Sequence, residues 1–450
     1  MAAAPHPLTI PAFRAYWLSR LAGTIAVSAQ GIIIGWQVYD LARMTMEVKE
    51  AAFLLGMIGL AQFVPLFLLT PVVGLVADTF DRRWIVRGTT TLLILNAAML
   101  GLLTWSGALS LPFLFFAAVL VGVARAFAGP AYSALAPNLV PREVLPTAIA
   151  VSSIAWQVGT ILGPSIGGVL YAIDPELAYA AIAGMFVVAL GAVFAIGRVP
   201  QPPSQTDRHP LQRIVDGFAY VRRNRLVLAT ITLDLFVVLL AGATALLPIF
   251  ARDILHVGAT GLGLLAAATG IGASAGSLWF SFRPMRTDVG VKMLWAVAVF
   301  AVATLIFGLA TPITDAVGLV PSDVRFGGME VTVIPAFLLS LAALAVAGAA
   351  DMVSVYVRSS LIQLHTPDAM RGRVSAVSQL TISASNELGE AESGLLASIL
   401  GPVGAVVFGG VGALAVTLAW SRLFPELKSA KTFDPPAPLA REPQHGVATP

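Results

Sequence analysis

Runs of about 20 or more apolar residues recur along this chain with only short polar breaks, and each is long enough to cross a hydrocarbon layer of roughly 30 Å as a helix. About twelve such runs can be counted, over 15–41, 52–77, 84–106, 112–136, 145–171, 177–197, 226–250, 259–282, 290–310, 335–361, 372–398 and 402–422. A barrel strand would alternate apolar and polar residues over about 10 positions, whereas these runs are apolar all round and rich in Gly and Ala. Of the 450 residues, 57% are hydrophobic and 11% charged, against roughly one quarter charged in a soluble domain. A soluble chain of this composition could not cover its own cores, so lipid has to act as solvent for part of the surface.

One break differs from the others in length, Pro content and positive charge. Residues 198–225 separate the sixth and seventh runs and divide the chain into an N-terminal six-helix bundle (1–197) and a C-terminal one (226–424). Within the break, Leu211 to Tyr220 can form a short surface helix, with Arg222, Arg223 and Arg225 near anionic headgroups. Residues 425–450, with Pro435, Pro436, Pro438 and Pro443, read as a disordered tail. Met1 to Ile10 lacks the pattern of a secretory signal, so the first span is expected to be retained. With the N-terminus inside, about 20 of the 27 Lys and Arg residues fall on the cytoplasmic side and about 4 outside (Arg43, Lys49, Arg252, Arg325), the bias that sets orientation. Both termini and the central loop are then cytoplasmic.

The halves carry a faint internal repeat. Placing Pro141 on Pro367 also puts Leu162-Gly163 on Leu388-Gly389, Gly168 on Gly394 and Arg125 on Asp351. Parallel repeats related by an axis along the membrane normal are one established transporter plan, with the substrate at the midplane between them.

The second span is followed by Gly74-Leu-Val-Ala-Asp78-Thr-Phe-Asp81-Arg82-Arg83, which resembles the signature loop of the major facilitator superfamily. Gly74 permits close helix approach, Asp78 can accept hydrogen bonds from a neighbouring helix N-terminus, and Arg82 and Arg83 hold the loop at the cytoplasmic side. The resemblance implies that the acidic residue latches the outward-facing state against the end of the eleventh helix, near Met370 to Arg373. The matching loop of the second half, Arg283-Pro-Met-Arg286-Thr-Asp288, keeps basic residues but not the Gly and Asp pattern. In the fifth span, Gly159, Gly163, Pro164, Gly167 and Gly168 resemble the antiporter motif of the exporting branches. Small residues leave a smooth groove and the proline frees a backbone carbonyl, although simple helix packing accounts for the glycines equally well. The opening Phe13-Arg-Ala-Tyr-Trp17, Trp36-Gln-Val-Tyr39 and Glu390-Ala-Glu392-Ser-Gly394 look most like the enterobactin-exporter-like and multidrug-efflux branch.

Charges inside spans are costly and are functional hypotheses by default. Arg125 in the fourth span needs a partner, and Asp351, Asp234, Glu387 and Glu390 are the proton-coupling candidates, with a purely structural ion pair as the alternative. Glu387 and Glu390 stand one turn apart, and Glu392 points elsewhere. Burial and mutual repulsion make one of them a plausible proton carrier. The five histidines all fall in loops or termini, so any proton relay has to use carboxylates. Gln30, Gln37, Gln62, Tyr132, Trp156, Gln157, Tyr356 and Asn386 are candidates to shape a substrate cavity.

No Gly-x-x-x-x-Gly-Lys-[Ser/Thr] phosphate loop, metal-ligand cluster or nucleophile-base pair occurs. An enzyme is therefore not expected, nor a cofactor, nor a metal. Basic residues sit in short clusters between spans rather than on one stripe, which argues against a nucleic-acid partner. The expected fold is an all-α membrane protein with about twelve transmembrane helices in two pseudo-symmetric six-helix bundles. The resemblance implies a monomeric bacterial inner-membrane transporter that exchanges protons for an amphipathic small molecule, a siderophore or drug. Proton-symport uptake would use the same fold, and a non-transporting scaffold or sensor, binding through the insert from Thr311 to Val333, is the rival of another class.

Overall fold

The structure, a computed structural model, describes residues 6–197, 210–283, 285–326 and 329–433; within helices a few side chains, Asp78 among them, fall outside the description. The first bundle comprises α1 (Pro11–Ala42), α2 (Val48–Thr79), α3 (Arg82–Trp105), α4 (Leu111–Leu135), α5 (Leu145–Ile173) and α6 (Pro175–Phe194). A connecting helix α7 (Pro210–Arg223) leads to α8 (Arg225–Leu240), which continues through the single turn α9 (Leu247–Ile249) and a π turn to Ile254. Then follow α10 (Gly258–Phe282), α11 (Val289–Gly308), the short α12 (Ala310–Ala316), an antiparallel pair β1 (Ser322–Phe326) and β2 (Met329–Val333), α13 (Pro335–Leu364), α14 (Asp368–Leu400), α15 (Pro402–Leu423) and α16 (Pro425–Ser429).

Local chemistry marks the boundaries. Proline opens α1, α6, α13 and α15 at a position whose N–H would be unbonded anyway. Asp174 caps α6 by accepting from the Leu177 N–H at 2.7 Å, and Asn224 caps α8 through Val227 N–H at 3.2 Å. Gly401 turns the chain between α14 and α15 at φ +79°, a conformation open to glycine and strained for other residues.

Eleven of the described helical segments are long and apolar enough to cross a bilayer unaided. The remaining crossing helix, α14, has ample length at 33 residues but carries Glu387, Glu390 and Glu392 in its interior. It packs along α2 on one side and α8 on another, and these neighbours remove its acids from lipid, which a lone helix could not do.

The bundles meet along two glycine seams. A Cβ added at Gly394 of α14 would lie 2.5 Å from Gly56 Cα and 2.9 Å from the Ala52 carbonyl of α2. At Gly168 of α5 it would lie 2.5 Å from the Ala259 carbonyl and 3.1 Å from Gly263 Cα of α10. The repeat places Gly168 on Gly394, and the partners in each case are a glycine and the alanine four residues before it. The same holds inside the bundles: Gly163 presses on the Ile25 carbonyl of α1 (2.7 Å) and its counterpart Gly389 on the Val238 carbonyl of α8 (2.8 Å). The internal repeat is thus a repeat of contacts, because only a residue without Cβ lets two backbones approach this closely.

Four expectations need correction or refinement. Gly74 to Thr79 continues α2 as helix, so the signature segment is mostly helix end, with a turn only at Phe80 and Asp81. The central helix, expected over 211–220, runs over Pro210–Arg223 and docks on protein: a Cβ at Gly217 would lie 2.7 Å from the Arg373 carbonyl, and Asp216 pairs with Arg373 at 3.0 Å. The tail begins as structure, since α16 inserts a fully buried Leu427 beside α11, and Phe433 meets Tyr356 edge-on at 5.7 Å. An apolar side chain so close to the bundle finds burial before the proline-rich segment starts; residues 434–450 lie outside the described residues. The insert between α11 and α13 adds a two-stranded hairpin to an otherwise helical chain.

Candidate functional site

Arg125 lies in the interior of α4. Gly122, one turn earlier, lets α4 approach α2 so closely that a Cβ there would strike the Gln62 carbonyl. That approach brings the Arg125 Nη1 within 3.1 Å of Gln62 Oε1, and it also donates to Glu387 Oε1 at 2.7 Å. The pair joins the first bundle to the second at mid-span. Its two ends differ: the Glu387 side chain is 4% exposed and that of Arg125 42%. A charged side chain that open is costly beside lipid and favourable beside water, which is the surrounding it needs at this depth. Glu390, one turn on, fills the recess left by Gly59, where a Cβ would lie 2.7 Å from its Oε2. Asn386 is exposed next to Glu387, and Glu392 is half-buried with an Oε2 that has no hydrogen-bond partner among the described residues.

The other two carboxylate candidates do not reach Arg125. Asp234 of α8 pairs with Arg358 of α13, and Asp351 lines the same small pocket as Asp234. Arg358 was not among the sequence candidates. It stands two turns after Asp351 on one helix face, a spacing that would have flagged it.

Around Asp81, the carboxylate accepts from the Arg83 N–H at 3.0 Å and caps α3, while also gripping the Arg83 guanidinium. Arg83 spans on to the Ile196 carbonyl at 3.2 Å, and Arg82 donates to the Ala134 carbonyl at 3.0 Å. These contacts brace α3 against α4 and α6 within the first bundle. The Asp78 side chain lies outside the described residues.

The glycines of α5 serve two neighbours. Gly159, Gly163 and Gly167 lie along α1 at Thr24, Ser28 and Ala29, whereas Pro164 and Gly168 face α10. The cavity candidates divide as well. Gln62 adjoins Arg125; Trp156 is 51% exposed and Gln157 half-buried on the same stretch of α5. Gln30 and Gln37 are both buried: Gln30 has neither amide atom bonded among the described residues, and Gln37 accepts from Tyr179 at 2.5 Å. Their face of α1 turns into the bundle core. Tyr132 is held by Ser19 at 2.8 Å and packs edge-on to Tyr16, and Tyr356 stacks on Phe280 at 5.1 Å, so both rings are committed to aromatic packing.

On the face opposite the termini the bundles are tied by charges that the sequence reading passed over as topology signals. Tyr39 donates to Asp253 at 2.5 Å, Arg43 pairs with the same carboxylate at 3.2 Å, and Arg252 pairs with Asp40 at 2.8 Å. Beneath them Leu55, Leu246, Phe250 and Phe307 form one apolar cluster drawn from both halves. The signal available in sequence was the mixed charge of Asp40-Leu-Ala-Arg43 and Arg252-Asp253 at the ends of two pseudo-equivalent helices. Because the chain has no cysteine, a single Leu55→Cys reports opening of this face. Removing these half-exposed pairs with Asp40→Asn and Asp253→Asn should weaken closure by about 1 kcal/mol, a roughly fivefold rise in the labelling rate by a membrane-impermeant maleimide. Unchanged labelling would mean that the apolar cluster alone holds the face shut.

The chain matches the family profile described as transmembrane secretion effector over residues 2–322. It is 27% identical over 441 residues to the enterobactin exporter EntS of Citrobacter koseri, covering 96% of this chain and 95% of that protein. It is likewise 27% identical over 438 residues to the enterobactin exporter EntS of Escherichia coli O1:K1 / APEC, covering 95% of each. In fold it is similar to a POT family transporter in complex with 5-aminolevulinic acid (TM-score 0.71, 12% identity, 92% of this chain and 96% of that one). It is also similar to a bacterial homolog of the human lysosomal transporter Spinster in an inward-facing and occupied conformation (TM-score 0.68, 14% identity, 94% and 99%).

Proposed function

The chain belongs to the transmembrane secretion effector family of the major facilitator superfamily, and from that premise we propose that it exports a siderophore-like small molecule from a bacterial cytoplasm in exchange for protons. The protein is an integral membrane transporter rather than an enzyme. In the proposed orientation the protein sits as a monomer in the inner membrane with both termini cytoplasmic. The face tied by Tyr39, Arg43, Asp40, Arg252 and Asp253 is then periplasmic, and it is the closed one.

The observation that carries this reading is the Arg125–Glu387 pair, which bridges the bundles at mid-span with the arginine side chain 42% exposed. A charge-assisted donor of this kind suits oxygen-rich ligands. Glu390 supplies the exchange. Packed against Gly59 at the seam, its carboxylate accepts either a proton or the hydroxyl donors of a cargo. Competition for one acceptor makes loading and protonation mutually exclusive, which is the requirement for antiport. Gln37 and Gln30 are buried within the first bundle. The experiment is flux of a labelled, iron-free catecholate siderophore in proteoliposomes with and without an imposed pH gradient. The wild type should respond to the gradient, and Glu390→Gln should move the siderophore at the same rate with or without it. Unchanged gradient dependence in Glu390→Gln removes Glu390 from the coupling, and no flux in the wild type refutes the cargo class.

A further inference from the structure

We propose that the second bundle contains its own site for one monovalent cation, a proton or Na+, enclosed by α8, α11 and α13 and separate from the Arg125 centre. Asp234, Asp351 and Ser354 line a pocket whose remaining walls are Val237, Val238, Val297 and Phe300, with about 10 Å³ of room for a water-sized body. That is the space of a single water or ion.

The charges on this pocket do not balance. Asp234, 7% exposed, is neutralised by Arg358, 5% exposed. Asp351 faces the same pocket and has neither a counter-ion nor a hydrogen-bond donor among the described residues. Ser354 is 4% exposed and lines the pocket, yet its hydroxyl makes no hydrogen bond among the described residues. Elsewhere on these helices hydroxyls bond back to their own turns: Thr230 to the Val227 carbonyl, Thr232 to Leu228, Thr304 to Phe300 and Ser340 to Ala336. Ser354 is buried without such a bond among the described residues, and it lines the pocket that the uncompensated carboxylate also lines.

Among the described residues the neighbouring elements supply no other compensating charge. Helix α10, packed on α13, has no ionisable residue between Gly258 and Phe282. Lys292 of α11 is exposed and turned to Thr287 at 3.4 Å. On α14, Glu387 is engaged by Arg125 and Glu390 by α2. An ionised carboxylate in an apolar pocket is unfavourable unless something positive joins it. One positive charge on Asp351, with Ser354 as a further oxygen ligand or hydrogen-bond partner, brings the pocket to neutrality. The pocket also lies on α8, whose continuation carries Arg252 and Asp253 into the closed face, so the occupant is placed to influence closure.

The test uses detergent-purified full-length protein and thermal unfolding followed by tryptophan fluorescence, with no cargo present. One arm replaces choline chloride by NaCl at constant ionic strength, and the other acidifies from mildly alkaline pH in choline. A rise in melting temperature in the first arm identifies Na+, and a rise confined to the second identifies the proton. In either case Asp351→Asn, which mimics the neutral carboxyl, should lose the part of that response that Asp351 supplies, while Gly184→Ala, with nothing within 4 Å of the added methyl, keeps the wild-type response. For Na+, Ser354→Ala should raise the half-saturating concentration roughly fivefold through loss of one oxygen ligand, which keeps the question open to test if Asp351→Asn does not fold. Equal responses of wild type, Asp351→Asn and Ser354→Ala in both arms would overturn the proposal. Loss of the response in Glu390→Gln alone would transfer the cation to the inter-bundle seam. Siderophore flux is not measured, so this outcome and that of the transport experiment are independent.

Discussion

Arg125→Gln is expected to abolish export and lower the melting temperature, whereas Glu387→Gln should cripple export with the melting temperature nearly unchanged. Both substitutions break one ion pair, but the pair is asymmetric: Glu387 is 4% exposed and Arg125 42%. Loss of the arginine strands a carboxylate in the interface, and loss of the carboxylate leaves a cation that water already solvates. Breaking a fully buried pair costs about 3–5 kcal/mol; solvent screening of Arg125 lowers the expectation to about 1–3 kcal/mol for Arg125→Gln. The double substitution Arg125→Gln with Glu387→Gln leaves no unpaired charge from this pair and should recover most of the lost stability without recovering transport. Export in proteoliposomes and thermal unfolding of the four proteins decide the matter. Equal losses of stability in the two single variants would mean that water does not reach Arg125. Wild-type export in Glu387→Gln would remove the pair from the mechanism.

Valine at Gly56 or Gly394 should stop transport just as firmly by a steric route. The atoms that an added Cβ would meet are backbone, Gly394 Cα at 2.6 Å from Gly56 and Gly56 Cα at 2.5 Å from Gly394, and backbone cannot rotate out of the way as a side chain can. Overpacking of this kind costs about 1–3 kcal/mol, with the helices forced apart to relieve it. Gly168→Val should behave alike at the second seam. Gly31→Ala and Gly184→Ala, where nothing lies within 4 Å, should match the wild type in both transport and yield. If Gly394→Val transports normally, the α2–α14 seam is too loose to serve as the line on which the bundles turn.

How far the site was legible depends on the kind of information each residue carries. Arg125 and Glu387 were singled out because a charge inside an apolar run is anomalous whatever surrounds it. Their pairing was not legible, since they lie 262 positions apart and Asp351 is the repeat counterpart of Arg125. Tertiary packing chose otherwise: Gly122 seats α4 on α2, and Gly56 and Gly59 seat α2 on α14, so the acid that arrives beside Arg125 is Glu387. Gln30 and Gln37 illustrate the converse failure. A buried amide looks the same in sequence whether it faces a cavity or a bundle core, and rotation of α1 about its axis decides which.

By itself the sequence determined that the chain crosses a membrane as helices, and roughly how many times and where. Apolar length and the cost of unbonded backbone in lipid act on each segment separately, so they can be read one run at a time. It also carried the repeat, because glycine positions recur wherever two backbones must touch. The tertiary structure alone decided which acid meets Arg125, that Asp234 belongs to Arg358, that Asp351 has no partner among the described residues, and that α14 crosses despite its glutamates. Each of these depends on the relative rotation and register of helices distant in sequence, and a buried charge is acceptable only according to what those helices bring within about 3–4 Å of it.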